Sequence, residues 1–174
     1  VLSAARELFA TRGLSASLDD IARHAEVGAG TVHRNFPSKE SLFATLVVDR
    51  VDELAARGRA LATANDPGAA LLSMLALLLD AGAENTTVQA GLAGTDFDLR
   101  AAAPRAAADL RAAVGVLLDG AQRAGAVRGD LDVDDVLALL AGAFAAARHA
   151  GGDPDRSARL RGVLFDALKA VPSQ

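Results

Sequence analysis

Three consecutive stretches decide how this chain folds: Ser17-Leu18-Asp19-Asp20-Ile21-Ala22, Glu26-Val27-Gly28-Ala29-Gly30 and Thr31-Val32-His33-Arg34-Asn35-Phe36-Pro37. The first opens on a serine whose hydroxyl can accept a hydrogen bond from the Asp20 amide. Asp19 and Asp20 favour the positive end of a helix dipole, so a helix is predicted to start sharply after Ser17 and to run over 18–25. The second stretch breaks that helix. The third supplies another short helix, stopped by Pro37, whose ring cannot continue it. Two short helices joined by a tight glycine-containing turn make a helix-turn-helix.

Working outward, Leu2, Ala5, Leu8 and Phe9 form the apolar stripe of a first helix, which Gly13 is expected to end in a left-handed conformation. Ser38 caps a long fourth helix carrying Leu42, Phe43, Leu46, Val47, Val51 and Leu54 on one face. Further helices are predicted at about 67–83, 104–124, 132–149 and 154–171, with boundaries good to ~2–4 residues. Period-two alternation of β-branched residues and hairpin signals are missing, so the fold class is all-α. The expected division is a helix-turn-helix domain over 1–45 and a larger helical domain over 46–174.

The chain has 174 residues, is 51% hydrophobic and contains no cysteine. It can bury a substantial core, and it offers no thiolate for a disulfide, a zinc site or a nucleophile. The most apolar stretches, Gly68 to Leu79 and Val136 to Ala147, fall short of the ~20 residues that span a bilayer. No charged, apolar and small-residue succession resembling a secretory signal opens the sequence, and the expected location is cytoplasmic. Helical periodicity is already running at Val1, which suggests that residues precede it. The formal net charge is -4, but it is unevenly spread. Residues 1–50 balance six basic against six acidic side chains, leaving 12 basic and 16 acidic in the remainder. A neutral head on an acidic body leaves room for a local DNA-binding face.

In a helix-turn-helix the second helix enters the major groove while neighbouring groups hold phosphates. Ala29 and Gly30 would let the backbone come close to DNA, Thr31 can donate to a phosphate, and His33, Arg34 and Asn35 put polar groups where a core helix would need leucines. Val32 and Phe36 form the inward face. The spacing alone fits a merely solvated polar face equally well, and Arg34 suits either guanine readout or a phosphate contact.

The runs Ala5-Arg6-Glu7-Leu8-Phe9-Ala10-Thr11-Arg12-Gly13, Ser17 to Ala22, Val27-Gly28-Ala29-Gly30-Thr31-Val32 and Asn35-Phe36-Pro37-Ser38-Lys39-Glu40-Ser41-Leu42-Phe43 resemble, in order, the DNA-binding domain of the TetR (tetracycline-repressor-like) family. The resemblance covers roughly the first 50 residues. It implies a one-component regulator, usually a repressor, whose homodimer sets two recognition helices in successive major grooves of a pseudo-palindromic double-stranded DNA operator. On that resemblance Ser17, Thr31, His33, Asn35 and Lys39 fall where family members contact phosphates, and Gly28, Ala29, Gly30 and Arg34 where base edges are approached. An aromatic, commonly tyrosine, is usual where His33 stands, and Arg34 with Asn35 departs from the common residues, so relatives do not supply the target sequence.

In the C-terminal part, Val133, Val136, Leu137, Leu140 and Phe144 make one helical stripe and Leu160, Val163, Leu164, Ala167 and Leu168 another. Regulators of this resemblance dimerise through their last two long helices, which marks Val136, Leu140, Phe144, Leu160, Val163, Leu164 and Leu168 as interface candidates; closing the monomer core would use the same stripes. Residues 125–132 resemble a recurrent C-terminal type of the family called SbtR-like. A pocket for a small apolar effector would have apolar walls with a few polar groups. Its candidates are Leu71, Met74, Leu75, Leu78, Gln89, Phe97, Leu117, Leu118 and Phe144, with the polar stretches Asn85 to Thr87 and Asp96 to Arg100 as an entrance or an ordinary loop.

An enzyme reading finds no support. No glutamate has a histidine three residues later, as a di-iron bundle requires, and Gly-x-Ser-x-Gly and Walker motifs are absent. No cofactor or metal is expected. The remaining rival is a helical protein-interaction module that has lost DNA binding, which the acidic balance keeps open; steep salt dependence would distinguish DNA binding from it.

Overall fold

The computed structural model describes residues 1–84, 103–149 and 153–170, and over these it is helical. The helices are α1 (Leu2–Arg12), α2 (Leu18–His24), α3 (Ala29–Asn35), α4 (Lys39–Leu61), α5 (Pro67–Glu84), α6 (Pro104–Arg123), α7 (Val133–His149) and α8 (Pro154–Leu168). A 3₁₀ turn, Gly13–Ser15, follows α1. Among the described residues no helix is long and apolar enough to cross a membrane.

Local chemistry explains the helix boundaries. Ser17 and Asp20 form a reciprocal capping box at α2, and Ser38 and Ser41 form another at α4. Asp66 accepts from the Ala69 amide ahead of α5, and Asp153 accepts from the Asp155 and Arg156 amides at α8. Gly13 has a positive φ of 56° but with ψ at -150°, outside the left-handed helical well and in a region that favours glycine more strongly still. Within the turn of the helix-turn-helix the positive φ belongs to Glu26 at 55°, not to Gly28, whose φ is -59°. The turn therefore carries a strained non-glycine residue, held by the Val27 amide donating to the Ala22 carbonyl at 3.0 Å.

The head packs around Ala5, Leu8, Phe9, Ile21, Ala22, Val32, Leu42 and Phe43, all buried. Phe9 and Phe43 meet edge to face with centroids 6.0 Å apart, fastening α1 to α4. Such a pair contributes about 0.5–1.5 kcal/mol beyond its area burial. Because α4 runs unbroken from Lys39 to Leu61, it crosses the boundary expected at residue 45 and belongs to both halves. In the body α4 packs chiefly against α6, α6 against α5, and α7 against α8 and α5. The Cβ that alanine would place at Gly82 lies 2.0 Å from the Phe144 ring, so α5 and α7 approach closely only because residue 82 lacks a side chain.

The two C-terminal stripes turn inward. Val136, Leu140, Phe144, Leu164 and Leu168 are buried within the chain itself, Leu160 is half-buried, and Val163 is 67% exposed. Among the described residues, the large apolar side chains that α7 and α8 leave exposed are Leu139, at 38%, and Val163. Leu71, Met74, Leu75, Leu78, Leu117, Leu118 and Phe144 are likewise closely packed core. Gln89, Phe97 and the stretches 85–87 and 96–100 lie outside the described residues.

Candidate DNA-binding face

α3 is a seven-residue helix anchored by one fully buried side chain, Val32, with Phe36 partly buried at its end. This inward pair presses it onto α2, and the rest of the helix faces out: Ala29, Gly30, Thr31, His33, Arg34 and Asn35 are all exposed. The period of 3.6 residues does this directly, since 32 and 36 share one side of so short a helix. Phe36 also cannot extend it, because the residue before a proline is driven out of the helical region; its φ and ψ are -131° and 97°.

Each outward polar group on the face has a defined setting. Asn35 Nδ2 donates to the Thr31 carbonyl at 2.8 Å, and an Arg34 terminal nitrogen donates to Thr31 Oγ1 at 3.3 Å. His33 Nε2 lies 2.9 Å from Asp19 Oδ1 across the α2–α3 junction. Ser17 Oγ accepts from the Asp20 amide at 3.1 Å and donates to Asp20 Oδ2 at 2.8 Å. The hydroxyl bond to Oδ2, and a second from the Ser17 backbone amide to the same oxygen at 3.2 Å, hold the Asp20 carboxyl below the usual range, with Arg23 at 3.0 Å contributing. Behind the face, His24 Nε2 meets Glu7 Oε2 at 2.7 Å and ties α2 to α1, holding Glu7 below its ordinary value. Lys39 begins α4 immediately after the capping serine and is half-buried.

The glycines of this face have no use for their freedom inside the chain. Gly30 lies in helical backbone, and a Cβ built on it meets nothing within 4 Å; at Gly28 the nearest atom is Thr31 Oγ1 at 4.0 Å. Glycine inside a helix is about 0.5–1 kcal/mol worse than alanine. The fold itself does not require that cost at residue 30.

The structure thus brings Ser17, Gly28, Ala29, Gly30, Thr31, His33, Arg34 and Asn35 onto or beside one exposed face, with Lys39 at the neighbouring helix start. Sequence reading missed Asp19 as the partner of His33, because a hydrogen bond spanning 14 residues leaves no local signal. It also missed an open cleft of about 380 Å³ between the last turn of α4, the first turns of α5 and the C-terminal half of α6, where Leu61, Pro67, Ala70, Val116 and Arg123 meet. Of the pocket candidates among the described residues, Leu117 is the one that lines it.

Comparison with known proteins accords with this geometry. Residues 1–46 match the family model for bacterial regulatory proteins of the TetR family, and residues 66–170 match the SbtR-like transcriptional regulator C-terminal domain. Among curated proteins there is no match. A TetR transcription regulatory protein from Mycobacterium vanbaalenii is 38% identical over 97% of this chain and 92% of its own, with a TM-score of 0.71. The TetR transcriptional regulator SCO0520 from Streptomyces coelicolor is 29% identical over 98% of this chain and 97% of its own, with a TM-score of 0.70. RolR in complex with resorcinol shares the fold at 20% identity, covering 98% of this chain and 86% of its own, with a TM-score of 0.65. With matched models over both the head and the body, and a relative more than a third identical along nearly the whole chain, this protein belongs to the TetR family of bacterial transcription regulators.

Proposed function

We propose that the protein is a ligand-responsive repressor that binds a pseudo-palindromic operator as a homodimer through α3. The observation that carries this reading is the outward face of α3. Exposed Thr31, His33, Arg34 and Asn35 stand beside a glycine whose missing side chain serves nothing within the chain. In this reading Arg34 reaches base edges, Gly28, Ala29 and Gly30 allow close approach, and Ser17, Thr31, His33, Asn35 and Lys39 hold phosphates.

The dimer is assigned to the outer faces of α7 and α8. Leu139 and Val163 supply apolar surface there, half-buried Leu160 adjoins it, and Gly142 and Gly162 have open space before them, which permits close helix approach. Buried Val136, Leu140, Phe144, Leu164 and Leu168 support that surface from beneath by fixing the two helices. An effector role for a small, largely apolar molecule is supported by the size of the helical body and by RolR, a protein of the same fold in complex with resorcinol. Its coupling to DNA affinity would be reciprocal and worth ~1–3 kcal/mol.

Selection of bound duplexes from a random pool tests the reading. An enriched inverted repeat, with half-sites centred about one helical turn apart or a multiple of it, is the expected result. Enrichment of nothing, or binding that does not weaken with salt, would refute it.

A further inference from the structure

The DNA-facing surface carries an anomaly, which is an exposed carboxylate. Asp19 stands on the first turn of α2, and its Oδ1 is 2.9 Å from Nε2 of His33 on α3, both side chains being more than half exposed. A negative charge opposite a phosphate backbone opposes binding unless it does something else. The other charged groups of α2 are already engaged: Asp20 by Ser17 and Arg23, and His24 by Glu7 of α1. On α3 Arg34 bonds to Thr31, and the charged groups at the start of α4 are Lys39 and Glu40. Asp19 is therefore the acid that faces His33.

A carboxylate only accepts, so Nε2 carries the proton in this contact. The neutral ring then presents Nδ1 as an acceptor, and Nδ1 has no partner among the described residues. A phosphate oxygen also only accepts, so it can be met at Nδ1 only by the doubly protonated ring. We propose that Asp19 is a positioning residue for DNA recognition: it holds His33 by Nε2, and on DNA binding the ring takes up one proton and grips a backbone phosphate through Nδ1. An imidazolium between two anions is favoured over a neutral ring, and the carboxylate that repels DNA alone becomes the group that orients its partner. This rests on α3 being the DNA-contacting helix.

The sign follows from the added proton. Complex formation binds more protons than the free partners do, so affinity rises as pH falls, with a limiting slope of about tenfold per pH unit for each proton taken up. Phosphate contacts are sequence-independent, so a mixed-sequence duplex at low, constant ionic strength is a sufficient probe. Fluorescence anisotropy between pH 6 and 8.5 should show a several-fold loss of affinity toward high pH. His33→Gln should flatten that dependence. Asp19→Asn should weaken it, and Asp19→Glu should restore it. His24→Gln should leave it in place. Thermal melts of each variant separate loss of fold from loss of contact, and only variants that melt like the wild type are compared. Absence of duplex binding at every pH would overturn the reading of α3 itself. Binding that is independent of pH, or whose pH dependence survives His33→Gln, would overturn the proton-coupled grip alone. A uniform gain in affinity for Asp19→Asn with unchanged pH dependence would show that Asp19 merely repels DNA, and would overturn its positioning role.

Discussion

Replacing Gly30 with alanine sets fold stability and DNA affinity against each other. In the free protein the new methyl group enters open space, since nothing lies within 4 Å of the position it would take, and residue 30 already has helical backbone. The substitution should therefore stabilise α3 by about 0.5–1 kcal/mol, the ordinary difference between glycine and alanine inside a helix. For a chain of this size that corresponds to a melting temperature higher by roughly 1–4 °C. DNA binding should move the other way. If the backbone at Gly30 lies against the duplex, the methyl group forces the helix outward and stretches the neighbouring contacts of Thr31 and Arg34. A loss of about 1 kcal/mol per half-site would weaken each half-site about fivefold. Thermal melting followed by circular dichroism reads the first effect, and anisotropy titration of the selected operator duplex reads the second. A variant that melts higher and binds as tightly as the wild type would refute the close-approach argument. One that melts lower would refute the claim that the chain has no use for this glycine.

The two cation roles separate by salt. Lys39→Ala should weaken all sequences about equally and lower the salt slope by roughly one per subunit, whereas Arg34→Ala should cost ~1–3 kcal/mol per half-site and relax preference at one position in a repeated duplex selection. Val163→Asp should shift the protein toward monomer in sedimentation while its circular dichroism stays that of the folded chain, because the side chain is exposed; Leu164→Asp, by contrast, buries a charge and should unfold the chain. Gly82→Ala should destabilise by about 1–3 kcal/mol in urea titration, since its methyl would overlap the Phe144 ring. Glu7 and Asp20, held below their ordinary values of 4.5 and 3.8, contribute stability that is present above those values and lost as pH falls through the lowered ones. An acid titration followed by circular dichroism should show Asp20→Asn with a shallower loss across that range.

What the amino-acid sequence determined by itself was whatever local rules control. Serine caps at 17 and 38, proline at 37 and the four-residue spacing of Val32 and Phe36 are short-range features whose physics acts within a turn or two of helix, and they specify both the helix-turn-helix and the face it presents. The order of the TetR-like motif added the DNA-binding role, which the net charge of -4 would have argued against. The turn was legible in place but not in detail: residues 26–30 read as the break between the helices, but nothing in their composition singles out Glu26 as the residue with positive φ, because the packing of α3 onto α2 sets the chain's path there. Only the tertiary structure decided which side of α7 and α8 looks outward. An apolar stripe shows that a helix face is covered, not by what, so Val136, Leu140, Phe144, Leu164 and Leu168 read alike as core or interface until their burial within one chain separates them from Val163 and Leu139. The same holds for Asp19 and His33. Fourteen residues apart and on different helices, they meet only because α3 folds back across the first turn of α2, and no periodicity within either helix encodes that meeting.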